Sequence, residues 1–446
     1  MPATDRLVPL LGLAALLVAV TPVSAQVLPR IDGPVTIEDA VDLAVRHSLR
    51  LKAAGADART MESMRREATA PFWPQLSANS YLVDQRMSPN VYTSAGNTMA
   101  RNYQVFDADQ SRNANVTLMY PLFSGGRDYY AYRAATRRSE AGREMQRATE
   151  VDVAMQARLD YVAAVREAQN LGVTEVLRRD ITERLRVTRE TFEAGRVPRY
   201  YVLRDEAELA NTEQMAAMAQ SRAEQALVAL KTTLGIDLAS SLTVADRLEV
   251  VPVAISVEEA IRAASEGQPE IRAAIKQREA AEAEVRAAYG NYFPQVSLSY
   301  MYDWGWMKTR GMRGDEAEGY SAGIVVTLPV FDGFMRENAL RTAKSRVDRA
   351  VQAEALARQQ IAKDVTQAAL MLTAAAKAIE ASRKGVEQAD EETRVIRERF
   401  ESGRGIQLEV LDAQVALTRA RFNAVAATSD YHNALAMWLR AGGRVR

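Results

Sequence analysis

The sequence YPLFSGG at residues 120–126 recurs as LPVFDG at residues 328–333. Three further motifs recur in the same order around this pair. They are TIEDA at 36–40 and SVEEA at 256–260, FWPQLS at 72–77 and YFPQVS at 292–297, and FEAGRV at 192–197 and FESGRG at 400–405. A chain of 446 residues with this pattern is best interpreted as one body made of two like halves. We predict a first structural repeat at 26–246 and a second at 247–446.

The two copies differ in length in one segment only. The offset between copies is 220 residues at Pro74 and Pro294, but 208 residues at Pro121 and Pro329 and again at the glycines of FEAGRV and FESGRG. The first copy therefore has 220 − 208 = 12 additional residues between its two prolines. Insertions are tolerated where the backbone is not packed, so this difference predicts a surface loop.

The N-terminal segment has the features of an export signal. Arg6 precedes a run of about 14 apolar residues, shorter than the roughly 20 that a spanning helix needs, and Val23 and Ala25 have the small-residue spacing of a cleavage site. We predict a signal peptide at 1–25, cleaved after Ala25. The chain contains no cysteine, which excludes a lipoprotein and a disulfide framework, and its net charge of +0 gives no sign of a nucleic-acid partner.

Two long stretches, at 127–192 and 335–400, contain no proline and are rich in Ala, Arg, Glu and Gln, which are good helix formers. As helices, each would be roughly 100 Å long. Their apolar positions step by three and four, which is typical of a narrow coiled-coil seam. The seam residues are Leu177, Ile181, Leu185, Thr188 and Phe192 in the first stretch, and Val386, Ala389, Thr393, Ile396 and Phe400 in the second.

Shorter helices are predicted on both sides of these stretches, at 37–70, 200–234, 257–289 and 407–439. Each has about half the length of a long helix, so two short helices laid end to end would match one long helix. Gly195 and Gly403 mark the points where the chain reverses, since glycine suits the left-handed residue that ends a helix in an αα-hairpin.

The segments between the prolines alternate with period two and predict β-hairpins at 74–122 and 294–330. Val296, Leu298, Tyr300, Tyr302 and Trp304 alternate with Gln295, Ser297, Ser299, Met301 and Asp303. Strands of about ten residues can cross a bilayer at a tilt. A soluble sheet would show the same alternation, but the export signal favours a membrane barrel.

Four strands cannot close a barrel within one chain, because spanning barrels start at about eight strands. Open sheet edges are excluded from lipid, where every backbone group needs a partner. Two chains would give eight strands and an interior filled by side chains, whereas three give twelve strands and a lumen. We therefore predict a mainly α fold with a β part, in which three chains share a twelve-stranded barrel.

The order and duplication of helix, β-hairpin, long helix, glycine turn and return helix resemble the TolC family of outer-membrane efflux and secretion channels. The resemblance covers nearly the whole chain after the export signal. It implies a homotrimer whose outer-membrane β-barrel continues into a periplasmic α-barrel, and which receives substrate from an inner-membrane transporter through a periplasmic adaptor protein. It also implies that the hairpin tips meet the adaptor. The matching residues are Gly195, Arg196, Val197, Gly403, Arg404 and Gly405.

The resemblance further implies acidic rings that narrow the periplasmic entrance, and these fall on Glu409 and Asp412. A spacing of three places both carboxylates on one helix face, so a trimer would stack two rings about 4 to 5 Å apart. Crowded like charges attract cations. A solvated polar face is the alternative interpretation. Gly405 stands where the family commonly has an arginine that helps to hold the tip shut, and the first copy has Tyr201 and Arg204 at the acid positions.

We expect no catalysis, no cofactor and no metal site. The two histidines, His47 and His432, are far apart and fit surface or interhelical roles better. A soluble periplasmic adaptor or tether and an exported enzyme are the competing classes. Within the channel class, the exit duct of a tripartite efflux system and the conduit of a type I protein secretion system use the same architecture, and the sequence does not choose between them.

Overall fold

The computed structural model describes residues 28–84, 108–244, 248–251, 256–309, 315–402 and 404–445. The predicted signal peptide, most of the longer loop of the first copy and Gly403 lie outside the described residues. The predicted boundary between the repeats, at 246 and 247, also falls outside them and stays a prediction.

The first copy contains four helices and four strands among the described residues. They are β1 (Gly33–Val35), α1 (Ile37–His47), α2 (Leu49–Glu67), a 3-10 turn (Ala70–Phe72), β2 (Gln75–Asp84), β3 (Ala108–Phe123), α3 (Arg127–Glu193), α4 (Arg199–Leu234) and β4 (Leu242–Val244). The described residues of the second copy follow the same order of helices and long strands. They form α5 (Val257–Gly267), α6 (Pro269–Gly290), β5 (Gln295–Thr309), β6 (Asp315–Thr327), α7 (Met335–Glu401) and α8 (Gln407–Ala441).

The two long helices are confirmed, and each contains 67 residues. In the half of the molecule next to the strands, neighbouring helices follow the order α2, α3, α6, α7, and in the other half the order α4, α3, α8, α7. Each long helix thus runs through both halves, while the short helices change. No described helix has an apolar stretch that is long enough to span a bilayer.

The prediction of one unbroken helix before each β-hairpin is wrong, because both helices are interrupted at equivalent positions. The first breaks at Ser48, whose Oγ accepts a hydrogen bond from the Leu51 N–H at 3.3 Å and so starts a new helix. The second breaks at Gln268, just before Pro269, which has no N–H and suits the first helical position. The offset of the two breaks, 268 − 48 = 220, equals that of Pro74 and Pro294.

Residues near the first break form a buried core around α1, α3, α4 and the parallel pair of β1 and β4. Tyr161 is fully buried, and its hydroxyl donates to the Val35 carbonyl oxygen at 2.9 Å. Strands of three residues are too short to show a periodicity, so the sequence did not predict this pair. The core lies midway along α3 and fixes the short helices against it.

The strands of the two β-hairpins form one antiparallel sheet in the order β2, β3, β5, β6. The central pairing joins the two copies, with Leu118 opposite Tyr300 and Val116 opposite Tyr302. In the described chain, β2 and β6 each have one edge without a neighbouring strand. As part of a barrel wall, the sheet of one chain would therefore have two unpaired edges.

Candidate functional site

The sheet has two chemically different faces, as the alternation predicted. One face is mostly apolar and carries Leu76, Ala78, Val116, Leu118, Tyr120, Val296, Leu298, Tyr300, Tyr302, Trp304, Ala322, Ile324 and Val326. The opposite face is mostly small or polar and carries Ser77, Asn79, Asn113, Asn115, Thr117, Ser297, Ser299, Asp303, Gly319, Ser321, Gly323 and Thr327. Such a sheet suits a wall between lipid and water.

Aromatic and charged side chains meet on the apolar face near the loop ends of the strands. The Arg112 guanidinium lies 5.2 Å from the ring centroid of Trp306. The Tyr302 hydroxyl donates to Glu318 at 2.9 Å. Aromatic side chains with polar partners are typical of the boundary between bilayer and water.

The turn of the first helical hairpin, α3 and α4, is built around Gly195, whose φ is +72°. The N–H of Arg196 donates to the Thr191 carbonyl at 3.0 Å and the N–H of Gly195 to Phe192 at 2.9 Å, which closes the end of α3. A Cβ on Gly195 would meet nothing within 4 Å, so the backbone conformation rather than packing requires glycine. Gly195 and Arg196 are exposed and Val197 is half-buried.

The turn of the second hairpin, α7 and α8, repeats this geometry where it is described. The N–H of Arg404 donates to the Arg399 carbonyl at 2.8 Å, as Arg196 does to Thr191 in the first turn. Arg404 is exposed. A Cβ on Gly405 would lie 3.1 Å from the backbone nitrogen of Phe400, so a larger residue there would press on α7. This close approach gives a steric reason for the glycine that departs from the family pattern.

The two predicted ring residues lie in the first turns of α8. Asp412 is exposed, and Glu409 is half-buried with one carboxylate oxygen buried and without a hydrogen-bond partner in the described chain. Neither carboxylate forms an ion pair with another described residue. Glu409 is also the third residue of α8, where a negative charge stabilises the helix N-terminus. The described chain therefore leaves both carboxylates without an ion-pair partner, and the helix terminus gives Glu409 one role of its own.

The first tip presents different chemistry at the equivalent positions. Tyr201 stacks on Tyr200 with ring centroids 4.2 Å apart. The hydrogen bond to Tyr201 raises the pKa of the Tyr200 hydroxyl above its ordinary value. Arg204 is exposed. Only the second hairpin therefore supplies carboxylates at these positions.

A buried polar cluster near the tips was missed by the sequence reasoning. Asp205 on α4 is fully buried, and its carboxylate accepts hydrogen bonds from Arg184 Nε at 3.1 Å and Thr188 Oγ1 at 2.7 Å, both on α3. Gln407 Nε2 on α8 lies 3.3 Å from both Asp205 oxygens, and Arg184 also donates to Gln414 on α8. We call these five residues the Asp205 cluster. It fastens the first hairpin to α8, so the two turns lie on neighbouring hairpins.

The signal for this cluster was an acid in an apolar stripe. The buried positions Val202, Asp205, Thr212 and Ala216 step by three, seven and four along α4, so Asp205 occupies a seam position. Buried carboxylates are almost always paired. The spacing could therefore have predicted a partner, although not its identity.

A second polar cluster, which is half-buried, joins the two copies near the middle of the long helices. Arg440 at the end of α8 contacts Asp152 of α3 at 3.0 Å, Asp364 of α7 at 3.2 Å and Glu270 of α6 at 3.3 Å. Burial lowers the pKa of Arg440, but the three carboxylates outweigh it and raise that pKa above its ordinary value. This guanidinium holds four helices together.

The histidines lie away from both tips. His432 on α8 is half-buried and contacts the backbone of Glu249, and burial lowers the pKa of its imidazole despite that contact. Among the residues that the structure describes, no group of three or more His, Asp and Glu side chains could hold a metal ion.

Comparison with known proteins gives a consistent result. The chain matches the family described as "Outer membrane efflux protein" over residues 40–236 and 260–443. It is 28% identical over 399 residues to protein CyaE of Bordetella pertussis, which spans 88% of this chain and 80% of that protein. Over 149 residues it is 29% identical to outer membrane protein OprJ of Pseudomonas aeruginosa, 33% of this chain and 31% of that protein.

The fold also matches a solved structure over most of its length. The CmeC outer membrane channel of Campylobacter jejuni superposes with a TM-score of 0.79 at 16% identity, covering 91% of this chain and 85% of that chain. At this identity the likeness concerns the fold, namely a helical barrel joined to a β-barrel.

Proposed function

Because this chain belongs to the outer membrane efflux protein family and is an outer-membrane channel, we propose that it is the exit duct of a tripartite efflux system. In this proposal, three copies form the channel, and substrates reach it from an inner-membrane transporter through a periplasmic adaptor protein. The family consists of channels and not of enzymes, so a soluble adaptor and an exported enzyme are set aside.

The observation that carries the proposal is a sheet with one apolar face, one polar face and two unpaired edges, continuous with helices of 67 residues. Unpaired edges are not tolerated in lipid. Three copies would supply twelve strands and a lumen lined by the polar face. The long helices would extend that lumen into the periplasm by roughly 100 Å.

The tips support the adaptor contact. Gly195, Arg196, Val197, Arg404 and Gly405 lie at the end of the molecule farthest from the sheet, and the arginines are exposed. We include Gly403 with them as the equivalent of Gly195. A bulky or charged replacement of Gly195 should impair export while trimers still assemble. Undiminished export in such a variant, with normal amounts of protein, would show that the tips do not dock.

The acid pair supports a cation-attracting entrance. In a trimer, Glu409 and Asp412 would form two three-carboxylate rings one helical turn apart. Such rings favour cationic current and bind divalent ions, which then block the entrance.

Export of a protein by a type I secretion system is the competing use of the same duct. The description of the matched family names efflux, and for this reason we place efflux first. Removing the protein from its cells should sensitise them to toxic small molecules. If the removal instead abolished the release of one polypeptide and left drug sensitivity unchanged, the duct would serve secretion.

Biochemical purification tests the shared architecture. Extraction from outer membranes should yield particles with the mass of three chains that open water-filled pores in planar bilayers. The mature chain should begin at Gln26 if the signal peptide is removed after Ala25. A monodisperse monomer in detergent would contradict the proposal.

A further inference from the structure

The turn that leads from the sheet into the first long helix packs tightly within the chain. A Cβ on Gly125 would lie 2.3 Å from the Gly290 carbonyl oxygen and 2.6 Å from the Phe293 Cβ. We call residues 124–127 the first junction and residues 290–293 the second corner. The first junction therefore sits on the second corner, at the place where β3 pairs with β5.

The second junction, residues 332–335, has the same backbone, but no corner of the described chain packs against it in the same way. Phe334 has a φ of +66° where its equivalent Gly126 has +84°, and the turn hydrogen bonds are 3.1 Å from Asn338 to Phe334 and 3.0 Å from Tyr130 to Gly126. However, a Cβ on Gly333 would meet nothing within 4 Å. Phe334 is 63% exposed. Among the described residues, this junction is a contact surface without an occupant.

The first corner, residues 70–73, is the matching half. The Trp73 N–H donates to the Ala70 carbonyl at 3.1 Å, as that of Phe293 does to Gly290 at 3.2 Å. Trp73 is 68% exposed. The two unoccupied halves lie at opposite edges of a four-stranded sheet, about 14 Å apart at three strand spacings. They cannot meet within one chain.

We propose that the second junction of one chain docks on the first corner of the next chain by repeating the contact seen inside the chain. This proposal rests on the proposed ring of chains and specifies how its members join. Inside the chain, Leu118 lies opposite Tyr300 and Met119 opposite Ser299. The equivalent positions between chains follow from the two offsets. Adding 208 to a residue number in β3 gives its equivalent in β6, and subtracting 220 from a residue number in β5 gives its equivalent in β2. Val326 then lies opposite Ser80 of the next chain, and Thr327 opposite Asn79 of the next chain.

The unusual residue at the second junction follows from this contact. A Cβ on Gly290 would lie 2.6 Å from the Arg127 nitrogen, so Ala70, which has a Cβ, cannot approach the next chain as closely. The wider gap needs more side-chain volume. Trp73 in place of Phe293 and Phe334 in place of Gly126 supply it. Phe334 also packs edge-on against Phe331, with ring centroids 5.7 Å apart.

The local structure holds this conformation in place. Asp332 accepts a hydrogen bond from the Met335 N–H at 3.2 Å and pairs with Arg336 at 2.7 Å. A left-handed phenylalanine is strained and persists only where its surroundings fix it. The ring is thus presented at the sheet edge before a neighbour arrives.

Paired cysteines test the register, and the absence of native cysteine makes the test clean. Val326→Cys with Ser80→Cys should give covalently linked dimers and trimers on oxidation, because the two Cα atoms would be at disulfide distance only between chains. The control is Val326→Cys with Leu76→Cys, on the same strand and face but four residues away. It should give essentially no linked species.

Particle mass, measured on reduced protein, separates the two proposals. Trimers that link through the control pair, or through neither pair, would overturn the register while leaving the channel function intact. A parent chain, without the introduced cysteines, that is monomeric would overturn both proposals.

Replacement of Phe334 gives a test whose sign differs between the two explanations. Phe334→Gly relieves backbone strain but removes the ring, so we expect trimers to dissociate at a lower temperature in detergent. Phe334→Tyr keeps the ring and should behave like the parent chain. A higher dissociation temperature for Phe334→Gly would show that the ring does not contribute to the contact between chains.

Discussion

The two helical hairpins have equal long helices and equivalent hydrogen bonds from Arg196 and Arg404 that close these helices, yet different side chains hold the hairpins together. In the first, the seam position at 205 is a buried aspartate bound to Arg184 and reaching Gln407. In the second, the equivalent position is Ala413, 413 − 205 = 208 residues later and 2% exposed. The Thr393 hydroxyl on α7 donates to the Ala389 carbonyl at 2.7 Å and the Ala413 carbonyl at 3.3 Å. Small side chains thus bring α7 and α8 together directly, whereas a charge joins the first hairpin to its neighbour.

The difference shows that a repeated sequence pattern does not determine every contact of each copy. Period and glycine placement fix the length and reversal of each hairpin, while one seam residue decides which other helix it binds. A charged seam specifies its partner through geometry, and a seam of small residues depends on close packing.

The largest expected effect comes from removing the charge of the first seam. Asp205→Ala leaves the largely buried Arg184 without its carboxylate and should destabilise the protein by about 3–5 kcal/mol, measured by urea unfolding of the detergent-solubilised channel. The control is Glu206→Ala on the next residue, whose pair with Arg189 is exposed at 2.7 Å and contributes about 0–1 kcal/mol. Equal effects of the two changes would refute the importance of the Asp205 cluster.

A smaller effect should follow from enlarging the second seam. Ala413→Leu adds volume where α7 and α8 are in contact and should cost about 1–3 kcal/mol. Val415→Leu, two residues along α8 at a site that is 55% exposed, is the control and should change stability little. If Ala413→Leu were as stable as the parent chain, the second seam would not be closely packed.

A still smaller effect concerns pH and the return helices. Burial lowers the pKa of His432 below its ordinary value of 6.5, so the folded state binds fewer protons than the unfolded state. Stability should therefore fall as pH drops below about 6.5, and His432→Gln should remove that part of the dependence. The equivalent Glu224 on α4 is exposed. Glu224→Gln should leave the slope of stability between pH 7 and pH 5 unchanged, and a matching loss of slope in both variants would argue against His432.

The acid pair should change conduction with the least effect on stability. Glu409→Ala with Asp412→Ala should reduce cation selectivity and weaken block by divalent ions, measured as reversal potentials in planar bilayers. The matched control is Tyr201→Ala with Arg204→Ala at the equivalent positions of the first tip. An unchanged reversal potential in the acid variant would indicate that both carboxylates belong to an ordinary solvated helix face.

Periodicity predicted most of the fold because the long helices are repetitive and the strands alternate clearly. The first long helix was predicted at 127–192 and extends over Arg127–Glu193. The helix breaks at Ser48 and Gln268 were not predicted, since each depends on a single residue that ends a helix within an otherwise helical pattern. The pairing of β3 with β5 was also beyond the sequence, because alternation identifies a strand but not its neighbour.

The candidate site was less predictable, for a physical reason. The tips and the acid pair follow from a resemblance in local sequence, and their roles remain proposals. The partners of Asp205 come from α3 and α8, 17 to 202 residues away along the chain. Arg440 likewise gathers carboxylates from three other helices. Contacts between distant segments require the fold itself, and no local pattern encodes them.

Because α3 and α7 are uninterrupted, their length sets the distance between the two ends of the molecule. Each long helix fixes the distance from the sheet to its turn, so a partner that grips the turns is held at a set depth below the membrane. That depth can change only if α3, α4, α7 and α8 are shortened together. Removing seven residues from each would bring the partner nearer by about 10 Å and keep every seam in phase, whereas other lengths would rotate the seams out of alignment.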